Sequence, residues 1–236
     1  MITQSALIRS SEDHKIIALI MRLRTMGITD MRVLGALERI PRDIFLPHAL
    51  KSQAYEDMAL PIGLGQTISQ PFVVAMMTQA LDLSDRDKVL EIGTGCGYQA
   101  AILARLCRRL YTIERHKPLL RKALEHLETL RIRNITAICA DGMKGWPEQA
   151  PFDKIIVTAA ARLHPPHALL QQLRPDGGIL VIPVDDTHTQ MLRRYKRESE
   201  DTYAIQDLMP VRFVPLLPDI AQYRDYTSSD LATLKT

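Results

Sequence analysis

The chain has 236 residues, of which 46% are hydrophobic and 24% are charged, a composition typical of a globular protein and not of a disordered one. Its 30 basic and 27 acidic residues leave a formal charge of +3, which is too small to indicate a nucleic acid or an anionic membrane as a partner. Cys96, Cys107 and Cys139 form no Cys-x-x-Cys pair, which argues against a disulfide framework and against a cysteine-rich zinc site.

The N-terminal segment Met1–Ser11 is polar and lacks the apolar region of a signal peptide. The longest apolar runs, such as Ile179–Val184, are far shorter than the ~18 residues of a membrane-spanning helix. We therefore expect a soluble, cytoplasmic protein without a membrane partner.

Two helices are predicted next. Apolar residues recur with helical spacing over Asp13–Met26, and Gly27 supplies a C-terminal stop. Asp30 is a suitable N-cap for a second helix, which Pro41 limits.

The stretch Phe45–Gln70 has no long period and is predicted to be an ordered segment without regular elements. Long segments of this kind in a compact domain are usually functional or disordered. Ser69 is a good N-cap, and with Pro71 just inside it predicts a helix over Phe72–Leu83.

From Asp87 onward, short apolar strands alternate with longer helices, which predicts a parallel sheet covered on both faces. The predicted strands are Val89–Ile92, Leu110–Ile113, Thr136–Cys139, Lys154–Thr158 and Gly178–Val184, and the helices between them are Tyr98–Cys107, Pro118–Leu130 and Pro166–Leu173. Beyond Pro183 the segments Gln190–Arg197, Ala204–Met209 and Val211–Val214 are predicted to be antiparallel strands that close one edge.

The predicted fold class is α/β, with a mostly parallel twisted sheet and an N-terminal helical segment. We expect one compact domain, in which residues 1–83 pack on a core formed by residues 84–220. Residues 221–236 form a C-terminal tail, and its last part, Thr227–Thr236, is expected to fray.

A glycine-rich loop follows the first strand of the predicted sheet, in Val89–Tyr98. Glycine permits the turn and a close approach of a ligand to the backbone, and a helix N-terminus favours negative charge. The glycines are Gly93, Gly95 and Gly97. Glu114 closes the second strand, where an acidic side chain can bind both ribose hydroxyls. The pattern predicts a nucleoside cofactor.

Two residues favour S-adenosyl-L-methionine over a dinucleotide. Tyr98 stands where the dinucleotide fingerprint requires its last glycine. Glu91 precedes the first glycine, and a carboxylate there suits the amino group of a methionyl moiety better than a pyrophosphate. A glycine turn that binds no ligand remains the alternative.

Asp141 and Gly142 follow the third strand. They are either an isolated Asp-Gly turn or a contact to the adenine amine. Their place at the same carboxyl edge as Glu91 and Glu114 favours the contact, because ligands of open α/β sheets bind there.

The segment Ala54–Pro71, with its run Gly-Gln-Thr-Ile-Ser-Gln-Pro, closely resembles protein-L-isoaspartate O-methyltransferases. The likeness continues through the glycine loop, Phe152–Ala160, Arg174–Val184 and Val211–Leu216, so that it covers roughly Asp13 to Leu216. The resemblance implies a Rossmann-like class I methyltransferase fold.

The resemblance also implies the activity. The family transfers a methyl group from S-adenosyl-L-methionine to the α-carboxylate of L-isoaspartyl residues in proteins and peptides, which initiates their repair through a succinimide. By position, Ser69 matches the active-site serine, and the other matched residues are the cofactor contacts. These are Gln66, Thr67, Ile68, Glu91, Gly93, Gly95, Gly97, Glu114, Arg115, Asp141 and Gly142.

An isoaspartyl α-carboxylate is already ionised at neutral pH, since ordinary carboxyls have pKa values of ~3–4. The chemistry therefore requires alignment and no general base. Ser69 is either an orienting hydrogen-bond partner or only a helix cap. For peptide recognition the candidates are Val211–Leu216 and the segment around Tyr55–Ile62.

Rival interpretations are weaker. A nucleic-acid methyltransferase would carry an Asn/Asp/Ser-Pro-Pro-aromatic motif after the fourth strand, where Thr158–Ala161 stands. A non-catalytic cofactor-binding protein would not need Ser69 beside the loop. His164 and His167 imitate a metal pair, but the intervening prolines favour a surface turn, so no metal is expected. We expect a monomer that acts on isoaspartyl proteins and peptides.

Overall fold

The computed structural model describes residues 4–186 and 189–222, with side chains described from residue 13 onward. Helix α1 spans Gln4–Thr25 and therefore begins earlier than the predicted Asp13. Helix α2 spans Met31–Arg39, and Asp30 caps it as predicted, since its carboxylate accepts hydrogen bonds from the main-chain N–H groups of Arg32 and Val33.

The segment between α2 and the next helix contains regular elements that the sequence analysis missed. Short 3₁₀ turns occupy Arg42–Phe45 and His48–Gln53. Strands β1 (Leu60–Gly63) and β2 (Gln66–Ile68) form an antiparallel hairpin. The prediction of an irregular segment was wrong here, because strands of four and three residues are too short to show a period. Helix α3 follows at Pro71–Ala80.

The predicted parallel sheet is present. Its parallel strands are β3 (Lys88–Ile92), β4 (Arg109–Glu114), β5 (Ile135–Cys139), β6 (Lys154–Val157) and β8 (Ile179–Asp185), and the short β7 (Ala161–Arg162) pairs with β8. The helices between them are α4 (Tyr98–Ala104), α5 (Lys117–Thr129) and α6 (His167–Gln171). Each of these elements overlaps its predicted range except β7, which the sequence analysis did not predict.

At the far edge, β9 (Gln190–Arg197) runs antiparallel to β8, and β10 (Tyr203–Val211) runs antiparallel to β9. The prediction of two strands, at Ala204–Met209 and Val211–Val214, was wrong: Pro210 lies within β10, which ends at Val211, and residues 212–214 are in no strand. A register shift between Asp207 and Met209 interrupts the pairing of β10 with β9, as at a β-bulge.

The strand order is β5-β4-β3-β6-β8-β9-β10. The chain moves from the central strand β3 outward to β5 and then returns to β6 on the other side of β3. This reversal creates a crevice at the carboxyl ends of β3 and β6, which is where open α/β sheets bind ligands.

The sheet has a buried apolar layer on each face. One layer joins the N-terminal helices to the sheet, since Leu23, Met77, Ile102 and Val181 belong to the same cluster. The other includes Leu90, Phe152 and Leu169. The first cluster holds the N-terminal helices against the sheet.

The cysteines are free thiols in this structure, with Cys96 and Cys107 buried and Cys139 half-buried. Within the described ranges, no helix has both the length and the apolarity that crossing a bilayer requires. The predicted frayed end, Thr227–Thr236, lies outside the described residues.

Candidate active site

A cavity of about 810 Å³ opens at the carboxyl edge of the sheet. The glycine loop after β3 and the residues that follow β4 form one side of it, and the segment Gly65–Gln70 forms another. A third wall is the extended chain Met209–Leu217, which leaves the end of β10. The volume is in the range of small-molecule sites.

The glycine loop has a backbone conformation that is unfavourable for residues with a side chain. Gly93 and Gly97 have φ values of 94° and 92°, which side chains rarely adopt. A Cβ on Gly93 would overlap the hydroxyl of Thr158, and one on Gly97 would lie 3.2 Å from the Cβ of Ala123 on α5. Gly93 and Gly95 line the cavity, whereas Gly97 is the buried N-cap of α4 and does not line it.

Glu114, at the end of β4, is held on the cavity wall by main-chain groups. Its Oε2 accepts a hydrogen bond of 2.7 Å from the N–H of Gly95, and its Oε1 accepts one of 2.9 Å from the N–H of His116. Only 4% of the residue is exposed. The carboxylate is therefore fixed in orientation and retains free lone pairs toward the cavity.

Glu91 lies beneath the loop and does not line the cavity. Its Oε2 accepts a hydrogen bond of 2.6 Å from Thr112, whose hydroxyl is also 2.6 Å from that of Thr94. Its Oε1 has no hydrogen-bond partner in the described part of the chain. Burial, opposed by the Thr112 bond and assisted by the charge of Glu114, raises the pKa of Glu91 to about 8.

The prediction that the Glu91 carboxylate contacts the amino group of the methionyl moiety is therefore corrected, because the side chain is fully buried and does not line the cavity. Removing a carboxylate from water disfavours its charged form, so burial shifts Glu91 toward its protonated form. Its geometry supports the loop from below, through Thr112 and Thr94.

Ser69 is half-buried on the cavity wall and is not the N-cap of α3. The N-cap position belongs to Gln70, and the N–H of Phe72 donates instead to Oδ1 of Asp57 at 2.8 Å. The prediction that Ser69 caps the helix was wrong, because Asp57, 15 positions before Phe72, supplies the acceptor. Among the hydrogen bonds found for residues 13–186 and 189–222, none involves the Ser69 hydroxyl.

Strand β2 brings the predicted residues Gln66, Thr67 and Ile68 to the cavity beside Ser69. The strand is too short to be stable alone, and the hairpin with β1 sets its register. The structure thus brings together the segment that the sequence analysis placed at the methionyl end.

Of the predicted residues Arg115, Asp141 and Gly142, two line the cavity and one does not. Arg115 lines the cavity, but its guanidinium donates to the carbonyls of Pro218 and Asp219. Gly142 lines the cavity, whereas Asp141 does not. The Asp141 carboxylate accepts a 2.9 Å hydrogen bond from the N–H of Met143, so in this structure it closes its own turn.

Several cavity residues were not identified from the sequence. Thr158 follows β6 and donates to the carbonyl of Gly93 at 2.7 Å, and His116 lies next to Glu114 on the wall. In the sequence, the only indication that these residues line a site was their position at the end of a predicted strand. His164 and His167 lie away from this cavity, and the described residues include no group of three or more His, Cys, Asp or Glu that could bind a metal.

The chain is similar to known proteins in both sequence and structure. The family model for protein-L-isoaspartate(D-aspartate) O-methyltransferase matches residues 14–220. A protein-L-isoaspartate O-methyltransferase of Rhodospirillum centenum is 58% identical over 87% of this chain and 92% of its own length. One from Paramagnetospirillum magneticum is 56% identical over 89% of this chain and 98% of its own length.

Solved structures agree with this result. A protein-L-isoaspartate O-methyltransferase superposes with a TM-score of 0.77 at 28% identity, covering 87% of this chain and 67% of that one. A protein of Plasmodium falciparum described as a putative member of the same class, in complex with S-adenosyl-L-homocysteine, has a TM-score of 0.74 at 24% identity, covering 85% and 97% of the two chains. At that identity the second comparison supports the fold.

Proposed function

The chain belongs to the protein-L-isoaspartate(D-aspartate) O-methyltransferase family, and we propose that the cavity at the carboxyl edge is where it performs this reaction. The enzyme transfers a methyl group from S-adenosyl-L-methionine to the α-carboxylate of L-isoaspartyl residues, which initiates repair of damaged proteins through a succinimide. The observation that carries the site assignment is the presence of the glycine loop, the Glu114 carboxylate and the Ser69 hydroxyl on one cavity.

The residues on the wall fit S-adenosyl-L-methionine. Glu114 is fixed with lone pairs available for ribose hydroxyls, and the absence of a side chain at Gly93 leaves the backbone accessible beside Thr158. We assign Gln66–Ile68 to the methionyl end and Gly142 to the adenine. When bound, this group supplies a methyl group that its sulfonium has already activated for nucleophilic attack.

The remaining assigned residues support the wall. Glu91 holds the loop through Thr112, Gly97 allows α4 to pack against α5, and Asp141 closes the turn before Gly142. We propose that these residues act on cofactor affinity through the position of the backbone and make no direct contact.

Ser69 is the residue that we assign to the acceptor. The isoaspartyl carboxylate needs no deprotonation at neutral pH, so the protein contributes alignment, which can supply ~7–11 kcal/mol. A serine hydroxyl that makes no hydrogen bond within the described chain can donate to the acceptor carboxylate and orient it. Ser69 forms no covalent intermediate in this mechanism.

The extended wall Val211–Leu216 is our candidate for the peptide main chain. It is held in place by hydrogen bonds of 2.8 Å from the N–H of Ala160 to the carbonyl of Val214 and from the N–H of Leu216 to the carbonyl of Ala160. An extended segment at a cavity rim suits an extended peptide.

We further propose that the enzyme is monomeric and cytoplasmic and has no nucleic-acid or membrane partner. The small net charge of +3 supports the absence of nucleic-acid and membrane partners.

The test uses two peptides that differ only in an aspartyl or isoaspartyl linkage, incubated with methyl-labelled S-adenosyl-L-methionine. We expect base-labile label in the isoaspartyl peptide alone. Equal labelling of both peptides, or label that resists base, would contradict the proposed substrate.

A further inference from the structure

Arg42 has a fully buried side chain next to the cavity, at the start of the 3₁₀ turn Arg42–Phe45. Its guanidinium donates to main-chain carbonyls of three separate positions. Nη1 lies 2.7 Å from the carbonyl oxygen of Ala54, and Nη2 lies 2.9 Å from that of Met58 and 3.1 Å from that of Ser69.

This charge is buried without an ion pair. Within residues 13–186 and 189–222, no carboxylate oxygen lies within 4.0 Å of the Arg42 guanidinium, and its Nε has no hydrogen-bond partner. Burial lowers the pKa of Arg42. Removing a cation from water is energetically unfavourable, so an arginine at this place indicates a requirement that an apolar side chain cannot meet.

The contacts of Arg42 join the two segments that face each other across the site. One is Ser69, whose carbonyl it binds. The other is Tyr98, the first residue of α4 after the glycine loop, whose ring centroid lies 5.8 Å from the Arg42 Cζ. Three residues after Ser69, the N–H of Phe72 donates to the carboxylate of Asp57. Two hydrogen bonds from distant segments thus fix the main chain that directly follows the Ser69 side chain.

We propose that Arg42 is a positioning residue for methyl transfer, which sets the Ser69 hydroxyl relative to the glycine loop through its bond to the Ser69 carbonyl. The proposal rests on the role of Ser69 proposed above. Misplacement of a reacting group by ~1 Å can cost about 100-fold in rate. A lysine retains the charge at this place but has no planar fork with which to bind several carbonyls at once.

A double-mutant cycle tests the proposal with Arg42→Lys, Ser69→Ala and the double variant, at saturating donor and well below their melting temperatures. We expect Arg42→Lys to lower kcat roughly 10–100-fold while the Kd for S-adenosylhomocysteine changes less than ~3-fold. If Arg42 acts through Ser69, the double variant should have a kcat within ~3-fold of Ser69→Ala alone. Losses that multiply in the double variant would overturn the proposal.

Arg197 provides a matched control. It is also buried, and its guanidinium donates to carbonyls that include those of Leu173 and Glu200, at the opposite end of the sheet. Arg197→Lys should destabilise the fold in a similar way and leave kcat unchanged. An equal loss of kcat in both variants would show that Arg42 matters only for folding.

A second variant leaves both side chains intact, in case Arg42→Lys does not fold. Replacing Gln70 by its α-hydroxy acid turns the Ser69–Gln70 amide into an ester, whose carbonyl is a weaker acceptor for Arg42. We expect kcat to fall roughly 3–10-fold, in line with one weakened hydrogen bond, and an unchanged kcat would overturn the proposal. An unchanged kcat in Ser69→Ala, by contrast, disproves the role of Ser69 itself, whatever the Arg42 variants show.

Discussion

The two edges of the parallel sheet differ in how completely their polar groups are paired. At the amino edge, the Asp153 carboxylate accepts from the N–H of Lys88 and from the Arg174 guanidinium, both at 2.8 Å. Asp87 accepts from the N–H of Ser84 at the same distance. All three guanidinium nitrogens of Arg197 donate to carbonyls.

Around the cavity at the carboxyl edge, pairing is incomplete. The buried side-chain atoms without a partner in the described ranges are Nε of Arg42 and Oε1 of Glu91. Buried polar groups are nearly always hydrogen-bonded. The difference indicates that the amino edge stabilises the fold, whereas the carboxyl edge retains unpaired groups for binding and positioning.

The largest expected effect is at Ser69. Ser69→Ala should lower kcat about 100–1,000-fold, the loss typical of removing one aligned donor. Its melting temperature should stay the same, because Asp57 and not Ser69 caps α3. Steady-state kinetics with an isoaspartyl peptide and a thermal melt give both values, and an unaltered kcat would leave Ser69 without a catalytic role.

Glu114 comes next. Glu114→Gln replaces one oxygen by an amide nitrogen, which cannot accept one of the two N–H bonds that now fix the carboxylate. We expect the Kd for S-adenosylhomocysteine to rise roughly 10–100-fold, since hydrogen bonds to charged groups contribute about 1.5–3 kcal/mol. Calorimetric titration measures this change. Glu125→Gln on the exposed face of α5 is the control, and a similar Kd in both variants would refute the assignment.

Glu91 should make stability depend on pH. Its pKa is about 8 in the folded protein against an ordinary value of 4.5, so the unfolded chain loses this proton first as the pH rises. The stabilising contribution is complete below pH 4.5 and is lost up to pH 8, at no more than about 1.4 kcal/mol per pH unit.

Glu91→Gln removes this titration and keeps an oxygen that can accept from Thr112. Its melting temperature should therefore change less between pH 5.5 and pH 8 than that of the native chain. Thermal melts across this interval compare the two, and parallel profiles would show that Glu91 is ionised in the folded protein.

A smaller effect is expected at Gly97. Gly97→Ala places a side chain at a φ of 92° and close to Ala123, so we expect a loss of about 1 kcal/mol in the free energy of unfolding. Urea unfolding measures it. Gly35→Ala within α2, where a Cβ has open space, should instead be neutral or stabilising, and equal losses at both positions would contradict the strain argument.

We expect the smallest effect on catalysis from a substitution at the amino edge of the sheet. Arg174→Lys disturbs the ion pair with Asp153 at the amino edge, and exposed pairs of this kind contribute about 0.2–1 kcal/mol. We expect kcat and KM to equal those of the native chain. A reduced kcat would weaken the distinction between the two edges.

Much of the fold was predictable because its signals are local. The parallel strands are short apolar runs between turn residues, and the glycine loop between β3 and α4 is a contiguous motif. Glu114 and Gly142 follow directly from their places after strands. By contrast, β1 and β2 were missed because such short strands are defined by pairing with each other and not by a sequence period.

The sequence predicted which positions belong to the candidate site. It did not predict which of these residues line the cavity and which only support its wall. The sequence determined the sheet, the glycine loop and the resemblance from which the role of Ser69 is proposed, since each depends on neighbouring residues. Only the tertiary structure decided that Glu91 is buried and that Asp57 accepts the hydrogen bond of the Phe72 N–H at the start of α3. It also decided that the Arg42 guanidinium binds the carbonyl of Ser69, because burial and contacts between distant segments depend on how the elements pack.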